Sequence, residues 1–449
     1  MNISDFYRVD GCNYASYDNY RKIASVADGL KPSSRKCLYV VLKNNVNSPK
    51  KVSILKSDTA AQTQYLHGDQ SLEGVLVSMA QNFAGSNNIP LLQRKGTFGN
   101  RLKPVAAAGR YIFTCKEDYL DKLFRKEDEA LLTEQIFEGD KIEPKFYIPV
   151  IPMLAVNGNV GLTTGFTQRI LPRNPKDVIK YIEAKLDGKK TLPKVEPWFV
   201  GFNGDIVQNK EKGESAWIIS GKCRKVSSNE IEITEIPINY DLESYCEVLD
   251  ALEDAREIKD YKDLSDNGQF KFLVKLYRVE GQGIDIDSPD LLEKFKLVQS
   301  YSEIYTSMNE DNKIVEFSSI YEILDYFYDL RLRYYEKRKT WLINDLERRI
   351  KENVSRYVFI SGVISGDIVV AKKTDEQIAK QLDKVDKIIK LNDSYDYLVN
   401  MPIRSMTKEK LDQLKELLKK LKDKLVETKS ISAQDFWRSD LEELKKTLA

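Results

Sequence analysis

The chain has 449 residues, 42% of them hydrophobic and 31% charged, enough to bury more than one core and to predict about three domains. No run of about 18 apolar residues occurs, and Met1-Asn2-Ile3-Ser4-Asp5 starts no basic-then-apolar leader, so a membrane-spanning or secreted protein is not expected. Five scattered cysteines without a Cys-x-x-Cys pair, and a single histidine, His67, argue against an ordinary zinc site and for a reducing compartment.

The net charge of +1 conceals an asymmetry. Between Asp28 and Lys116 thirteen Lys and Arg face four acids, a local +9 that leaves −8 for everything else. Pro32 to Lys56 and Gly74 to Lys116 contain no acid at all. A solvated face normally interleaves both signs, so a stretch of this kind reads as one that tracks phosphates.

In chain order, Asp28-Gly29-Leu30-Lys31-Pro32 is a turn, and Pro32-Ser33-Ser34 start a helix over Arg35 to Lys43 with Leu38, Tyr39 and Leu42 on its apolar face. A second helix is predicted from about Ser71 to Phe83, with Leu72, Val75, Leu76, Met79 and Phe83 at helical spacing. Gly96-Thr97-Phe98-Gly99 and Gly109 then punctuate short strands, the pattern of a wing after a helix-turn-helix core. From about Val156 to Ser318 short apolar runs alternate with charged turns, as in a mixed α/β domain. Leu291 to Ser361 lacks Gly and Pro, and Leu346, Ile350, Val354 and Val358 repeat every four residues, which predicts one long helix. A second follows Thr407 with Leu411, Leu414, Leu418, Leu421 and Leu425 in a stripe, so that the two pair as an antiparallel coiled coil.

Within the basic stretch, Arg110-Tyr111 follows Val105-Ala106-Ala107-Ala108-Gly109. A phenol with a pKa of roughly 10 is a poor nucleophile unless a cation and a base or metal assist it. Arg110 supplies the cation, and the small residues let a nucleic-acid backbone approach. Isolated tyrosines are usually packing residues, so the surroundings decide.

Those surroundings carry a resemblance. Asp28-Gly29-Leu30-Lys31-Pro32 with Arg35-Lys36, Tyr65-Leu66-His67-Gly68-Asp69-Gln70-Ser71-Leu72, Ala80 to Asn88 and Ala106 to Tyr111 look like the cleavage core of type IIA DNA topoisomerases in order and spacing. The similarity continues through Asn157 to Gly165, Gln168 to Pro175, Thr234-Glu235-Ile236-Pro237 and Arg331 to Arg338, and so covers essentially the whole chain. The wording is closer to the eukaryotic enzyme than to the cleavage polypeptide of gyrase. With no ATPase, metal-binding segment or gyrase-like propeller in the chain, it looks most like the DNA-cleaving medium subunit of a T-even-type phage enzyme.

The resemblance implies an α+β multidomain fold: an N-terminal arm (1–27), a winged-helix cleavage domain (28–155), an α/β tower (156–318), and a coiled coil with a helical exit-gate dimerisation domain (319–449). It implies that Tyr111 is the nucleophile, that Arg110, His67 and Arg21 assist at the scissile phosphate, and that Lys31, Arg35, Lys36, Arg101 and Arg169 contact DNA. Ile170 matches the residue that wedges between base pairs. The only Asp-x-Asp candidate, Asp285-Ile286-Asp287, reads as a turn, so no metal site is expected here. Mg2+ and ATP would then be bound by an ATPase/Toprim partner subunit, with double-stranded DNA and a second copy of the chain as further partners, in the cytoplasm, the host's if the chain is viral. Two departures stand out: Asn159 and Thr163 replace the family's usual glutamate and glycine, and Gly109 stands where alanine or methionine is common. The rivals are a non-catalytic DNA clamp with the same winged helix and arms, and a tyrosine recombinase, disfavoured because it needs dispersed arginines and a tyrosine near the C-terminus.

Overall fold

The computed structural model describes residues 3–448 apart from 69, 278–284, 287 and 372. The chain divides into two compact units, one of residues 1–331 with 440–449 and one of residues 332–439.

The first unit begins its basic region with three packed helices. Lys31 is extended (φ −81°, ψ 158°) and Pro32 takes the first helical position, where its missing N–H costs nothing, so the helix Pro32–Lys43 starts three residues before the predicted Arg35. It buries Cys37, Leu38, Val40 and Val41, leaving Tyr39 and Leu42 at the edge of the face rather than its centre. The helix Gln70–Ala80 buries Leu72, Leu76, Met79 and Ala80 and ends before Phe83. Between them lies a helix that residue spacing does not predict, Val52–Gln62.

A narrow wing follows. Lys50–Lys51 pairs with Phe113–Thr114, and Gln93 and Lys95 bond the backbone of Cys115 and Phe113. The intervening loop is held from beneath by Gln81, whose amide donates to the carbonyls of Phe98 (2.8 Å) and Pro104 (2.9 Å). Gly99, at φ +80°, lies where a Cβ would stand 2.4 Å from the Pro104 oxygen, so only glycine fits.

The chain then forms the hairpin Asn159–Leu162 with Thr167–Ile170, in the register Asn159↔Ile170 and Val160↔Arg169. A four-stranded antiparallel sheet, in the order 260–263, 272–275, 230–235, 222–227, is covered by the helix Leu242–Asp254, which Asp241 and Ser244 start with a reciprocal cap. Ile231, Ile233, Tyr245, Leu249, Phe272 and Val274 form the core between them. A three-stranded sheet places Ala216–Ser220 between Asp205–Gln208 and Val298–Ser302. Residues 440–449 return to this unit, where Arg125 meets Glu443 (2.6 Å) and Lys445 meets Glu183 (2.6 Å).

The second unit takes its first residues from the helix Ile320–Ser365. The stretch without Gly and Pro predicts one helix from Leu291, but Val298–Ser302, Thr306–Met308 and Ile314–Glu316 are strands whose ladder pairing overrides that signal. Thr407 caps the helix Lys408–Ser430 by accepting from the Lys410 N–H. The two run antiparallel: Lys339 Nζ donates to the carbonyls of Lys429 and Ile431, Glu347 pairs with Lys429 at 2.7 Å, and Lys415 lies over the Tyr357 ring. Leu414 and Leu421 are buried on the expected stripe, with Leu411, Leu418 and Leu425 half-buried beside them. Phe359, Ile360, Ile378, Leu382, Tyr395 and Leu398 close a second core.

Candidate functional site

Arg110 and Tyr111 sit on a turn closed by the Tyr111 N–H donating to the Ala108 carbonyl at 2.9 Å. Tyr111 is 67% exposed, and the Arg110 guanidinium carbon is 5.0 Å from the centre of its ring. An apolar ring held outward under a cation is not a packing residue. The turn is anchored at both ends to the first turn of the helix Val52–Gln62: the Val52 N–H donates to the Ile112 carbonyl and the Ser53 N–H to that of Gly109, each at 3.1 Å.

Arg21 and His67 meet elsewhere in the unit, on a cavity of about 380 Å³ lined also by Tyr17, Tyr20, Lys36, Tyr65 and Glu143. His67 Nε2 is hydrogen-bonded to the Tyr17 hydroxyl at 2.7 Å, and the Arg21 guanidinium lies 5.4 Å from the Tyr17 ring centre. Tyr65 packs edge-on against the imidazole, with ring centres 5.4 Å apart. Neither Tyr111 nor Arg110 lines this cavity. Four predicted residues therefore form two groups, and Tyr17, which sequence reasoning missed, joins two of them.

The residues expected to grip a duplex divide sharply. Arg35 does not face outward: it is buried, donating from Nε to Asp28 at 2.7 Å and from Nη2 to Asp28 at 3.0 Å, while Asp28 also accepts from the N–H of Leu30 and Tyr147. Gly29 (φ +70°) completes that turn against the Leu154 backbone, so the Asp28-to-Arg35 motif is a structural clasp. Lys36 is committed to Glu143, at 2.9 Å, and to the Thr63 carbonyl. Burial pushes the Glu143 carboxyl above its ordinary range, against the pull of the Lys36 charge. Arg101 is likewise engaged within the protein. It is 8% exposed, donates to the carbonyls of Tyr240, Ile236 and Pro237, and stacks on Phe270, binding the wing loop to the four-stranded sheet.

Lys31 donates from Nζ to the Val160 carbonyl at 2.9 Å, and burial lowers the pKa of its ammonium. Arg169 is half-buried on the hairpin, its backbone paired with Ile304. Ile170, expected to project as a wedge, is 2% exposed, because strand alternation turns it inward with Gln168 and leaves Val160 (59%) and Leu162 (65%) outward. Gln168 holds that inner face by accepting from the Ala24 N–H and the Asn159 amide.

Among the described residues no group of three or more His, Cys, Asp or Glu is arranged to hold a metal ion. Asp287, part of the Asp-x-Asp candidate, and Asp69 of the His67 motif lie outside the described residues. No helix is long and apolar enough to cross a membrane among those described.

Known proteins are similar to this chain in sequence and in fold. The chain is 34% identical over 453 residues to the mitochondrial DNA topoisomerase 2 of Dictyostelium discoideum, covering 99% of this chain and 35% of that protein. It is 31% identical over 478 residues to DNA topoisomerase 2 of Penicillium chrysogenum, covering 98% and 30%. The chain thus spans about a third of the length of the curated relatives it matches. Its structure matches the Plasmodium falciparum topoisomerase II DNA-binding, cleavage and re-ligation domain with a TM-score of 0.85 at 31% identity, over 99% of this chain and 64% of that one. Residues 21–442 match the family model of the DNA gyrase/topoisomerase IV A-subunit, and the chain belongs to that family.

Proposed function

We propose that this chain is the DNA-cleaving and religating part of an ATP-dependent type IIA topoisomerase. The observation that carries the reading is the outward Tyr111 under Arg110, on a turn anchored to packed helices, in a chain of this family. The Tyr111 oxygen attacks a DNA phosphorus, the bond to the 3′ oxygen breaks, and the 3′ oxygen leaves with a proton as a hydroxyl. The product is a 5′-phosphotyrosyl link, and the reverse step reseals the strand without a nucleotide. Arg110 and Arg21 stabilise charge on the phosphoryl oxygens, the usual major contribution in phosphoryl transfer. His67 holds or protonates a reacting group. Two protomers cut opposite strands, which opens a double-strand gate for relaxation and decatenation.

On the family resemblance, magnesium and ATP are assigned to a partner polypeptide carrying the Toprim and ATPase parts. The division into arm, winged helix, tower and paired helical arms is kept, with the arms as the dimer contact and double-stranded DNA as the substrate. Arg169 and Lys31, on and beside the hairpin, are read as contacts to the DNA. Likeness to the medium subunit of a T-even-type phage enzyme and a cytoplasmic site of action belong to the same reading.

The test is covalent trapping. The chain, its partner, Mg2+ and DNA are denatured mid-reaction; protein should be found on 5′ ends, and Tyr111→Phe should abolish it while DNA binding persists. Adducts that survive in the Phe variant overturn the assignment of the nucleophile, and their absence from the native chain favours the non-catalytic clamp.

A further inference from the structure

Gly109, the residue before Arg110-Tyr111, is a glycine for reasons of space. Its φ is not in the left-handed region, so its backbone makes no demand for glycine. Its N–H, however, donates to Glu73 Oε1 at 2.6 Å, and a Cβ at this position would lie 2.6 Å from Glu73 Cδ and 2.7 Å from that oxygen. The carboxylate occupies the room a side chain would need.

Glu73 is the only acid between Asp69 and Glu117, inside the most cationic part of the chain. A bare carboxylate there would oppose a phosphate brought to Tyr111. Lys56 answers it at 3.1 Å, and both side chains are largely withdrawn from solvent, so the pair is close to neutral and shielded. Lys56 lies on the helix Val52–Gln62 and Glu73 on the helix Gln70–Ala80. The two peptide groups that flank the Gly109 Cα are thus both held, the N–H of one by Glu73 and the carbonyl of the other by the Ser53 N–H. One residue further on, the chain turns Arg110 and Tyr111 outward.

We propose that Glu73, supported by Lys56, is a positioning residue for the nucleophile: it fixes the peptide plane of Gly109 and with it the direction in which Tyr111 presents its hydroxyl. The inference rests on Tyr111 as the nucleophile and explains why this chain carries glycine before the Arg-Tyr pair. Because the carboxylate is the free end of a flexible side chain, Gly109→Ala displaces it rather than disrupting the helices. Glu73→Ala and Gly109→Ala therefore remove the same contact, while Glu73→Gln keeps an acceptor for the Gly109 N–H.

The experiment has two readouts. Hydrogen exchange on the chain alone should show the Gly109 amide exchanging about tenfold faster in Glu73→Ala, as expected for loss of a hydrogen bond to a charged group, and nearly as in the native chain in Glu73→Gln. In the complex with its partner and Mg2+, the single-turnover cleavage rate should fall roughly tenfold or more in Glu73→Ala and in Gly109→Ala, measured below the melting temperature of each variant and at saturating DNA. The double variant should be no slower than either single one. Native exchange and cleavage in Glu73→Ala, or losses that add in the double variant, overturn the proposal. Adducts persisting in Tyr111→Phe would instead remove Tyr111 as the nucleophile and leave the exchange result standing.

Discussion

The Tyr17 hydroxyl and Nε2 of His67, the only histidine in the chain, are 2.7 Å apart, and Arg21 lies over the same tyrosine ring. Tyr17 therefore sets the ring orientation of His67 and is the point through which His67 and Arg21 share one wall of the cavity. Tyr17→Phe leaves the ring stack and removes the hydrogen bond. One such bond is worth about 1 kcal/mol, so cleavage should slow roughly fivefold, and adding Tyr17→Phe to His67→Ala should bring no further loss. Imidazole nitrogen shifts of the chain alone report the contact directly, and shifts identical in Tyr17→Phe would rule it out.

Arg173 and Glu303 are both fully buried, with Nη1 and Nη2 each 2.6 Å from a carboxylate oxygen. Glu303 also accepts from Trp217 Nε1, the Tyr305 hydroxyl and the Leu171 N–H, so it ties the segment after the hairpin to the three-stranded sheet. Removing one partner strands the other charge. Glu303→Gln is expected to lower stability by about 3–5 kcal/mol, and Arg173→Met in the same chain to restore part of that, because the uncompensated cation is gone. Urea midpoints of the two variants check both signs.

Arg101 and Arg169 should separate in a salt titration. Arg169→Ala is expected to reduce the dependence of log affinity on log salt by about one, as for one lost phosphate contact. Arg101→Ala should leave that slope alone and cost about 1–3 kcal/mol of stability, since three backbone carbonyls lose their donor. A changed slope in Arg101→Ala would return that residue to the DNA surface.

These cases show what the sequence made readable. The helices Pro32–Lys43 and Gln70–Ala80 were legible because proline at the first position and leucine spacing are local signals. The helix Val52–Gln62 was not, because its buried face is Val52, Leu55 and Thr59, and a threonine that satisfies its hydroxyl on the Leu55 carbonyl reads as polar. The charge count located a basic region correctly but carried no information on partners. Arg35 is neutralised seven residues away and Arg101 bonds carbonyls 135 to 139 residues on, and neither distance is written in a local pattern. Tyr17 and Glu73 were invisible for the same reason: the groups they hold lie 50 and 36 residues away.

Cys37 predicts how the first unit behaves in alkali. It is fully buried in the helix Pro32–Lys43, and burial pushes its thiol up to about 12 from 9.0, against a weaker opposing hydrogen bond from Thr59. The unfolded chain therefore releases this proton near pH 9 while the folded chain keeps it. Fewer protons on the unfolded state mean that stability falls as pH rises, by up to about 1.4 kcal/mol per pH unit between those two values. The contribution is fully present below pH 9. Buried tyrosines add to the same alkaline loss, so the informative quantity is the difference between native chain and Cys37→Ala. The variant should be less stable at pH 7 for want of packing, and the gap should narrow steadily from pH 9 to pH 10.5 in urea titrations. A gap that is constant across that range would mean that the Cys37 thiol ionises alike in both states. Iodoacetamide at pH 8 gives an independent reading: it should modify the exposed Cys12 and leave Cys37 intact until the chain unfolds.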